Sequence, residues 1–179
     1  IRKVEEDQKM VEEAKKKNLS PLVSPWMFFT FARKNIGFWE EINKYDLAPL
    51  GSLNNEDTYY CNEGYGLVTY KTDRFGFRND NNIWNDLKDL DTYVIGDSFV
   101  EGSCVHQGET ITDRLNSLGN NTANLGASGN SPLQYAATLK TFFYLHNPKN
   151  IVVIFYMNDN VQDDLNDIYY KLFLKGDSS

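Results

Sequence analysis

The most constraining feature of the sequence is the apolar run from Ile151 to Tyr156 (IVVIFY), which lacks the alternation of apolar and polar residues typical of a half-exposed strand. A strand that is apolar on both faces is typical of the centre of a parallel sheet covered by helices on both sides. We therefore predict a central strand here. Even with Met157 added, the run is far shorter than the about 20 residues that a membrane-spanning helix needs.

Strand and helix patterns alternate around this run. Two short segments, ending at Gly96 and Gly126, predict two more strands, and amphipathic or apolar stretches predict helices between and after the strands. Such alternation indicates an α/β fold with three layers, α/β/α, around a central parallel sheet. The predicted strands are 91–95, 122–125 and 151–156, and the predicted helices are 110–118, 132–145 and 161–174.

Two of these helices carry further local signals. In the first, Ile111, Leu115 and Leu118 recur at helical spacing and predict the face that packs on the sheet. The second has Pro132 in its first turn and Ser131 as the expected N-cap. Its predicted apolar face consists of Leu133, Ala136, Ala137, Leu139, Phe142 and Phe143.

The residues before the α/β core (91–179) divide into two parts. Residues 1–19 mix basic and acidic side chains around a thin apolar stripe, which predicts an exposed helical arm, with a coiled-coil contact as the alternative. Residues 20–90 are rich in aromatics, and we predict a lead-in that packs on the core, with a strand or hairpin arm at 67–70. An exposed aromatic patch for a lipid or a partner is the alternative.

Composition excludes several classes of protein. The chain has 18 basic and 25 acidic residues, a formal charge of −7, which argues against a nucleic-acid binder. Two His and two Cys are too few for a Cys/His-rich zinc module, so no metal is predicted. Because the chain begins at Ile1, we expect that any signal peptide or membrane anchor would lie upstream of it.

In parallel sheets, ligands bind beyond the carboxyl ends of the strands. Ser98 follows the first strand, where its hydroxyl can act as a nucleophile if a base activates it, or can merely cap the next segment. Gly129, after the second strand, can offer a backbone N–H to an oxyanion. Asn158, after the third, can donate its amide to the same oxyanion, or can belong to an ordinary turn.

No cofactor is predicted at these strand ends. The glycines at 126 and 129 lack the G-x-G-x-x-G spacing of a dinucleotide fingerprint, and no acid follows where the fingerprint requires one. A flavodoxin-like nucleotide or cofactor binder is therefore a weak competitor, because the chain has no glycine-rich loop that could cradle a phosphate.

Taken together, the three segments resemble the three blocks of the SGNH hydrolase superfamily, also called GDSL esterases/lipases. The resemblance covers residues 70–165, and it implies a nucleophile at Ser98, oxyanion donors at Gly129 and Asn158, and a flavodoxin-like three-layer fold. Within the lead-in, the segment 74–79 (RFGFRN) is similar to one found before the first block in bacterial members linked to surface polysaccharides. The matching blocks are Gly96-Asp97-Ser98-Phe99, Asn124-Leu125-Gly126-Ala127-Ser128-Gly129 and Phe155-Tyr156-Met157-Asn158-Asp159.

The sequence departs from the family pattern in two places. Met157 stands where a glycine often precedes the Asn, and we expect its side chain to narrow the substrate pocket without abolishing donation by Asn158. The last block, Asp-x-x-His, which supplies the general base, is absent: neither His106 nor His146 has an Asp three residues earlier. We expect structural roles for both histidines, with His106 as a substitute base being the alternative. We also expect the missing strands and the Asp-x-x-His block beyond Ser179.

The two cysteines leave two interpretations open. Cys104 lies close to the Ser98 turn, so a disulfide with Cys61 would join the lead-in to the active-site loop in an exported protein. Two buried thiols are the other interpretation, while a metal site is disfavoured. The location is left open: a disulfide would fit a periplasmic, extracellular or membrane-associated protein, which is favoured, and the cytoplasm is the alternative.

The resemblance implies a serine esterase or acyltransferase. The expected substrate is a small-molecule or carbohydrate ester, with carbohydrate O-acetyl groups favoured by family analogy alone. The alternative is a non-catalytic binding or assembly domain that keeps the fold without a complete triad. The acyl group, the acceptor and the oligomeric state are left open.

Overall fold

The computed structural model describes residues 2–34, 49–85, 90–145 and 147–157, which form a mixed α/β structure with parallel strand pairs. In chain order the elements are α1 (Arg2–Lys16), β1 (Ser20–Pro21), α2 (Pro25–Lys34), β2 (Asp57–Tyr59), β3 (Thr69–Lys71), a 3-10 helix (Asn81–Trp84), β4 (Thr92–Gly96), α3 (Ser98–Glu101), α4 (Ile111–Ser117), β5 (Thr122–Gly126), α5 (Pro132–Leu145) and β6 (Asn150–Val153). None of the described helices is both long and apolar enough to cross a membrane.

The larger sheet has the strand order β5-β4-β6, and both pairings are parallel. Val94 of β4 is aligned with Asn124 on one side and with Val152 on the other. Every residue of β4 and β5 is buried. The prediction of two short strands that end at Gly96 and Gly126 is therefore confirmed, and the two glycines lie opposite each other at the carboxyl edge of the sheet.

The predicted central position of the third strand is wrong for the described sheet. In that sheet β6 lies at an edge, all four of its residues are exposed, and β4 is the central strand. The apolar run predicted burial on both faces, but among the described residues β6 pairs only with β4. The helix predicted at 161–174 lies outside the described residues.

The core lies between β4, β5, α5 and part of the lead-in. Phe77 and Trp84 of the lead-in belong to the same buried cluster as Tyr93, and Phe142 of α5 lies at its centre. The ring of Phe142 meets that of Phe77 edge to face at 5.4 Å, a favourable geometry for aromatic pairs. The Tyr93 hydroxyl donates to the Phe142 carbonyl at 3.0 Å, so this buried polar group is satisfied.

Helix α4 faces the sheet with a different side from the one predicted. Ile111 and Leu118 are 43% and 79% exposed, whereas Thr112 is buried. The reason is polar packing: the Asn124 amide of β5 donates to the Thr112 hydroxyl at 3.2 Å. Thr110 and Asp113 form a capping box that starts the helix, so local capping and not an apolar stripe sets its position.

Helix α5 has the predicted bounds, and Ser131 is its N-cap residue as predicted, because its carbonyl accepts the Tyr135 N–H at 3.0 Å. The cap is made by the Gln134 side chain, which accepts a hydrogen bond from the Ser131 N–H at 2.7 Å, whereas the buried Ser131 hydroxyl has no partner among the described residues. On the predicted apolar face Ala137 and Phe142 are buried, but Ala136 and Phe143 are exposed.

A second, smaller sheet is formed by the lead-in. Strand β2 pairs in parallel with β1 and antiparallel with β3. Strand β3 begins two residues later and ends one residue later than the predicted 67–70 segment. Helix α1 confirms the helix predicted near the N-terminus, and its Ala14 is fully buried. Tyr70 of β3 is also buried, and its hydroxyl donates to the Glu101 carboxylate beside the candidate site.

Candidate functional site

Ser98 is the first residue of α3 and lies directly beyond the carboxyl end of β4. Asp97 caps this short helix by accepting the Phe99 N–H at 2.9 Å, and Gly102 ends it with a φ of +76°. Ser98 is half-buried, and its Oγ lies 3.4 Å from Asp97 Oδ2. The turn therefore presents a hydroxyl at a helix N-terminus, where backbone N–H groups lack intrahelical acceptors.

Two glycines allow α3 to lie across the strand ends. A Cβ on Gly96 would lie 2.5 Å from Val100 Cγ2, and one on Gly126 would lie 2.4 Å from the Glu101 backbone nitrogen. No side chain can be accommodated at these distances without moving the helix. The sequence Gly96-Asp97-Ser98 therefore needs its glycine for close packing, and Gly126 is needed for the same reason.

Gly129 lies in the turn after β5, next to the Ser98 turn. Its φ of +78° is in the left-handed region that favours glycine, and the Asn130 N–H closes the turn on the Ala127 carbonyl at 3.1 Å. Among the described residues, the backbone N–H groups of Ser98 and Gly129 have no hydrogen-bond acceptor. Both are therefore available to an oxyanion.

Asn158 lies outside the described residues, so its predicted role stays a prediction. The segment leading to it is described as far as Met157. The Ile154 N–H donates to the Ile95 carbonyl at 2.9 Å, and the Tyr156 ring packs on Phe99 of α3 with centroids 4.6 Å apart. The third segment therefore approaches the nucleophile helix from the β6 side.

Glu101 is a prominent feature of the site that the sequence analysis missed. It is 4% exposed. Its Oε1 accepts the Tyr70 hydroxyl at 2.6 Å, and its Oε2 accepts the N–H of Ser128 at 2.7 Å and also the Ser128 hydroxyl. Burial raises the pKa of this carboxyl, and the hydrogen bonds from Ser128 and Tyr70 act in the opposite direction.

Arg78 supports this carboxylate from the lead-in. Its guanidinium carbon lies 4.4 Å from the centroid of the Tyr70 ring, and its two terminal nitrogens donate to the Gly102 and Val105 carbonyls at 2.6 and 2.8 Å. The positive charge therefore lies beside the loop that follows α3. Burial lowers the Arg78 pKa and raises that of Tyr70.

Asp73 organises the part of the lead-in that follows it, residues 75–84. It is fully buried, and its two oxygens accept four hydrogen bonds, which come from the Phe75 and Phe77 N–H groups, the Asn79 amide and the Trp84 indole. Burial raises its pKa despite these donors. Asn79 in turn exchanges hydrogen bonds of 2.7 and 2.9 Å with the backbone of Asn124, which ties the lead-in to β5.

A cavity of about 390 Å³ opens in front of Ser98. One wall is the loop 60–66, which carries Tyr65, and this loop is joined to the Ser98 side by a disulfide between Cys61 and Cys104, with Cα atoms 5.5 Å apart. The disulfide alternative for the cysteines is therefore the one observed. The Tyr65 hydroxyl also donates to the Cys104 carbonyl. The cavity lining includes Tyr60, Glu63, Tyr65, Ser98, Phe99 and Ser103.

His106 is engaged with the cavity wall. Its ring meets that of Tyr65 edge to face at 5.6 Å, and its Nε2 lies 3.3 Å from the Tyr65 carbonyl oxygen. The hydrogen bond that Ser98 makes through its hydroxyl goes to Asp97. His146 lies outside the described residues. The described part of the chain holds no cluster of three or more residues suited to ligating a metal.

The comparisons with known proteins give no relative: no family model, no curated protein and no solved structure matches this chain. The chemistry of the site therefore has to be argued from its own residues.

Proposed function

We propose that this chain carries the nucleophile and oxyanion part of an SGNH-type serine esterase or acyltransferase, within a three-layer α/β/α fold, and that it acts on carbohydrate O-acetyl esters. The observation that carries the proposal is the position of Ser98 and Gly129. They follow strands that end side by side, and their N–H groups have no acceptor among the described residues.

In the proposed reaction, Ser98 Oγ attacks the ester carbonyl carbon and forms a tetrahedral intermediate. The negative charge on its oxygen is stabilised by the Ser98 and Gly129 N–H groups and by the Asn158 amide, as the family resemblance implies. Collapse of the intermediate expels the alcohol and leaves an acyl group on Ser98, which passes to water or to an acceptor hydroxyl.

Ser98 requires a base to take its proton, because a serine hydroxyl is a weak nucleophile at its ordinary pKa. His106 is held against Tyr65. The proposal therefore does not assign the base to His106 and requires a histidine of the Asp-x-x-His type, as the family resemblance implies. The carboxyl group of Asp97 is already used as the helix cap.

Labelling with a fluorophosphonate tests the proposal on the full-length protein. We expect the wild type to be labelled and Ser98→Ala to be unlabelled, while Ser117→Ala, an exposed serine on α4, serves as the matched control and is labelled normally. Release of acetate from an O-acetylated oligosaccharide tests the substrate class. A well-folded full-length protein that takes up no label would contradict the proposal and favour a non-catalytic binding domain.

A further inference from the structure

We infer that Glu101 is a positioning residue, which fixes the oxyanion turn against the nucleophile helix. This inference rests on the proposed function, because it concerns the same site. It names a residue that touches neither the reacting carbonyl nor the nucleophile hydroxyl, and which acts through Ser128 and Gly129.

The first argument is connectivity. Glu101 belongs to the same four-residue helix as Ser98, so its backbone moves with the nucleophile. Its side chain leaves this helix and binds the turn after β5, where Oε2 accepts both the N–H and the hydroxyl of Ser128. The next N–H along the chain is that of Gly129. The turn itself is closed by the Asn130 N–H on the Ala127 carbonyl. A carboxylate that holds Ser128 within this closed turn therefore restrains the direction in which the Gly129 N–H points.

The second argument is that the carboxylate itself cannot rotate. Its other oxygen is held by the Tyr70 hydroxyl from the smaller sheet. The Ser103 hydroxyl lies 2.8 Å from the Ser128 hydroxyl and 3.5 Å from Oε2, so it closes the ring of contacts. A buried polar network with its donors and acceptors matched has one arrangement, which is what an oxyanion hole requires.

The third argument is the number of donors. The Tyr70 hydroxyl and the Ser128 N–H and hydroxyl all point at Glu101, and only a carboxylate offers two oxygens that accept without also donating. A glutamine has the same shape but turns an NH₂ group toward one set of donors. Glu101→Gln therefore changes the hydrogen bonds of the turn and leaves the packing volume unchanged.

Asp73 provides a matched control. It is also a buried carboxylate, and it also receives hydrogen bonds from several donors, but all of these come from the lead-in and none comes from the turn that carries Gly129. Asp73→Asn therefore makes the same chemical change as Glu101→Gln in a place where only structure depends on it.

The experiment measures steady-state hydrolysis of p-nitrophenyl acetate, the rate of fluorophosphonate labelling and the urea unfolding midpoint, all on the full-length protein. For Glu101→Gln we expect kcat to fall about 10- to 100-fold with KM changed less than about threefold, because an oxyanion interaction is made in the transition state. For Asp73→Asn we expect a comparable loss of stability with kcat within about twofold of the wild type.

Several outcomes overturn the inference. If the wild type is labelled at Ser98 and Glu101→Gln has a wild-type kcat, or loses no more than Asp73→Asn, the positioning role is wrong and the proposed function stands. If the folded wild type is unreactive, both fail. Should Glu101→Gln not fold, Ser128→Ala replaces it, because it removes one donor and keeps the N–H bond. It is then expected to lower kcat several-fold at constant KM, and a kcat equal to wild type overturns the role.

Discussion

The two sides of the Ser98 cavity are built in opposite ways. Behind Ser98, the ends of β4 and β5 are fully buried. Glu101 of α3, the helix that follows β4, accepts hydrogen bonds from Ser128 in the turn that follows β5. In front of it, the loop 60–66 is largely exposed, and Tyr65 is 53% exposed. The loop is held by the disulfide, by the bond from Tyr65 to Cys104, by the contact of Tyr65 with His106 and by backbone bonds to Val68.

The difference separates what holds the reacting groups from what meets the substrate. A buried network with one arrangement suits the oxyanion donors, which have to be in place before the reaction. An exposed loop with few buried contacts belongs to the least stable part of a fold, and it can adapt to a bulky ligand. Changes behind Ser98 should therefore alter stability and kcat, and changes in front of it should alter KM.

The largest effect is expected for Gly126→Ala, behind Ser98. The added Cβ would lie 2.4 Å from the Glu101 backbone nitrogen and 2.7 Å from two Val100 side-chain carbons. We expect a loss of about 4 kcal/mol in the free energy of unfolding, or no folded protein, since overpacking is costly where the neighbours cannot move. Urea denaturation measures this loss.

Gly119→Ala is the control for a glycine with open space around its Cβ, although its φ of +88° adds strain of its own. A stability loss at Gly126 no larger than that at Gly119 would contradict the close packing of α3.

The next largest effect is expected for removal of the disulfide, in front of Ser98. Cys61 and Cys104 are 43 residues apart, and a crosslink of this span contributes about 2 to 4 kcal/mol, mainly by restricting the unfolded chain. We expect the double variant Cys61→Ser/Cys104→Ser to be destabilised by this amount. Its KM should rise while the kcat of its folded fraction stays near that of the wild type. Equal losses in kcat and kcat/KM would break the proposed separation between the two sides.

Tyr70→Phe tests the side behind Ser98 more gently. The change removes the donor to Glu101 Oε1 and keeps the ring that lies under Arg78. A hydrogen bond to a charged group contributes about 1.5 to 3 kcal/mol, so we expect a loss of about 2 kcal/mol in unfolding free energy. Chemical denaturation measures it, with Tyr59→Phe, a half-buried tyrosine of β2, as the control. A loss below about 0.5 kcal/mol would mean that this hydroxyl adds little to the network.

Much of the fold could be predicted because the relevant signals are local. The strands that end at Gly96 and Gly126 and the helix that begins at Pro132 were predicted from nearby residues, and the parallel register then brings the turns of Ser98 and Gly129 together. The position of β6 at an edge of the described sheet could not be predicted from its composition, because an apolar run is the same at the edge of a sheet as at its centre.

The support of the site was not predictable in the same way. Tyr70 and Glu101 are separated by 31 residues, and Glu101 and Ser128 by 27, so no local pattern joins them. One local signal was available for Glu101. It lies in the same short helix as Ser98, and because a helix that lies across strand ends has a buried side, an acid there could be expected to be buried and hydrogen-bonded. The disulfide was one of two open alternatives because Cys61 and Cys104 are 43 residues apart, and no local pattern predicts the distance between their backbones.

The smallest effect is expected for Tyr65→Phe, in front of Ser98. The hydroxyl donates to the Cys104 carbonyl from an exposed position, where water can replace it, so unfolding free energy should change by less than about 0.5 kcal/mol. Because this hydroxyl fixes the position of a ring that lines the cavity, KM for an O-acetylated oligosaccharide should nevertheless rise a few-fold, with kcat unchanged. Tyr144→Phe, on an 81% exposed side chain of α5, is the control and should change neither constant. If Tyr65→Phe lowered kcat and left KM alone, the loop in front of Ser98 would belong with the groups that hold the transition state, and the contrast between the two sides would be lost.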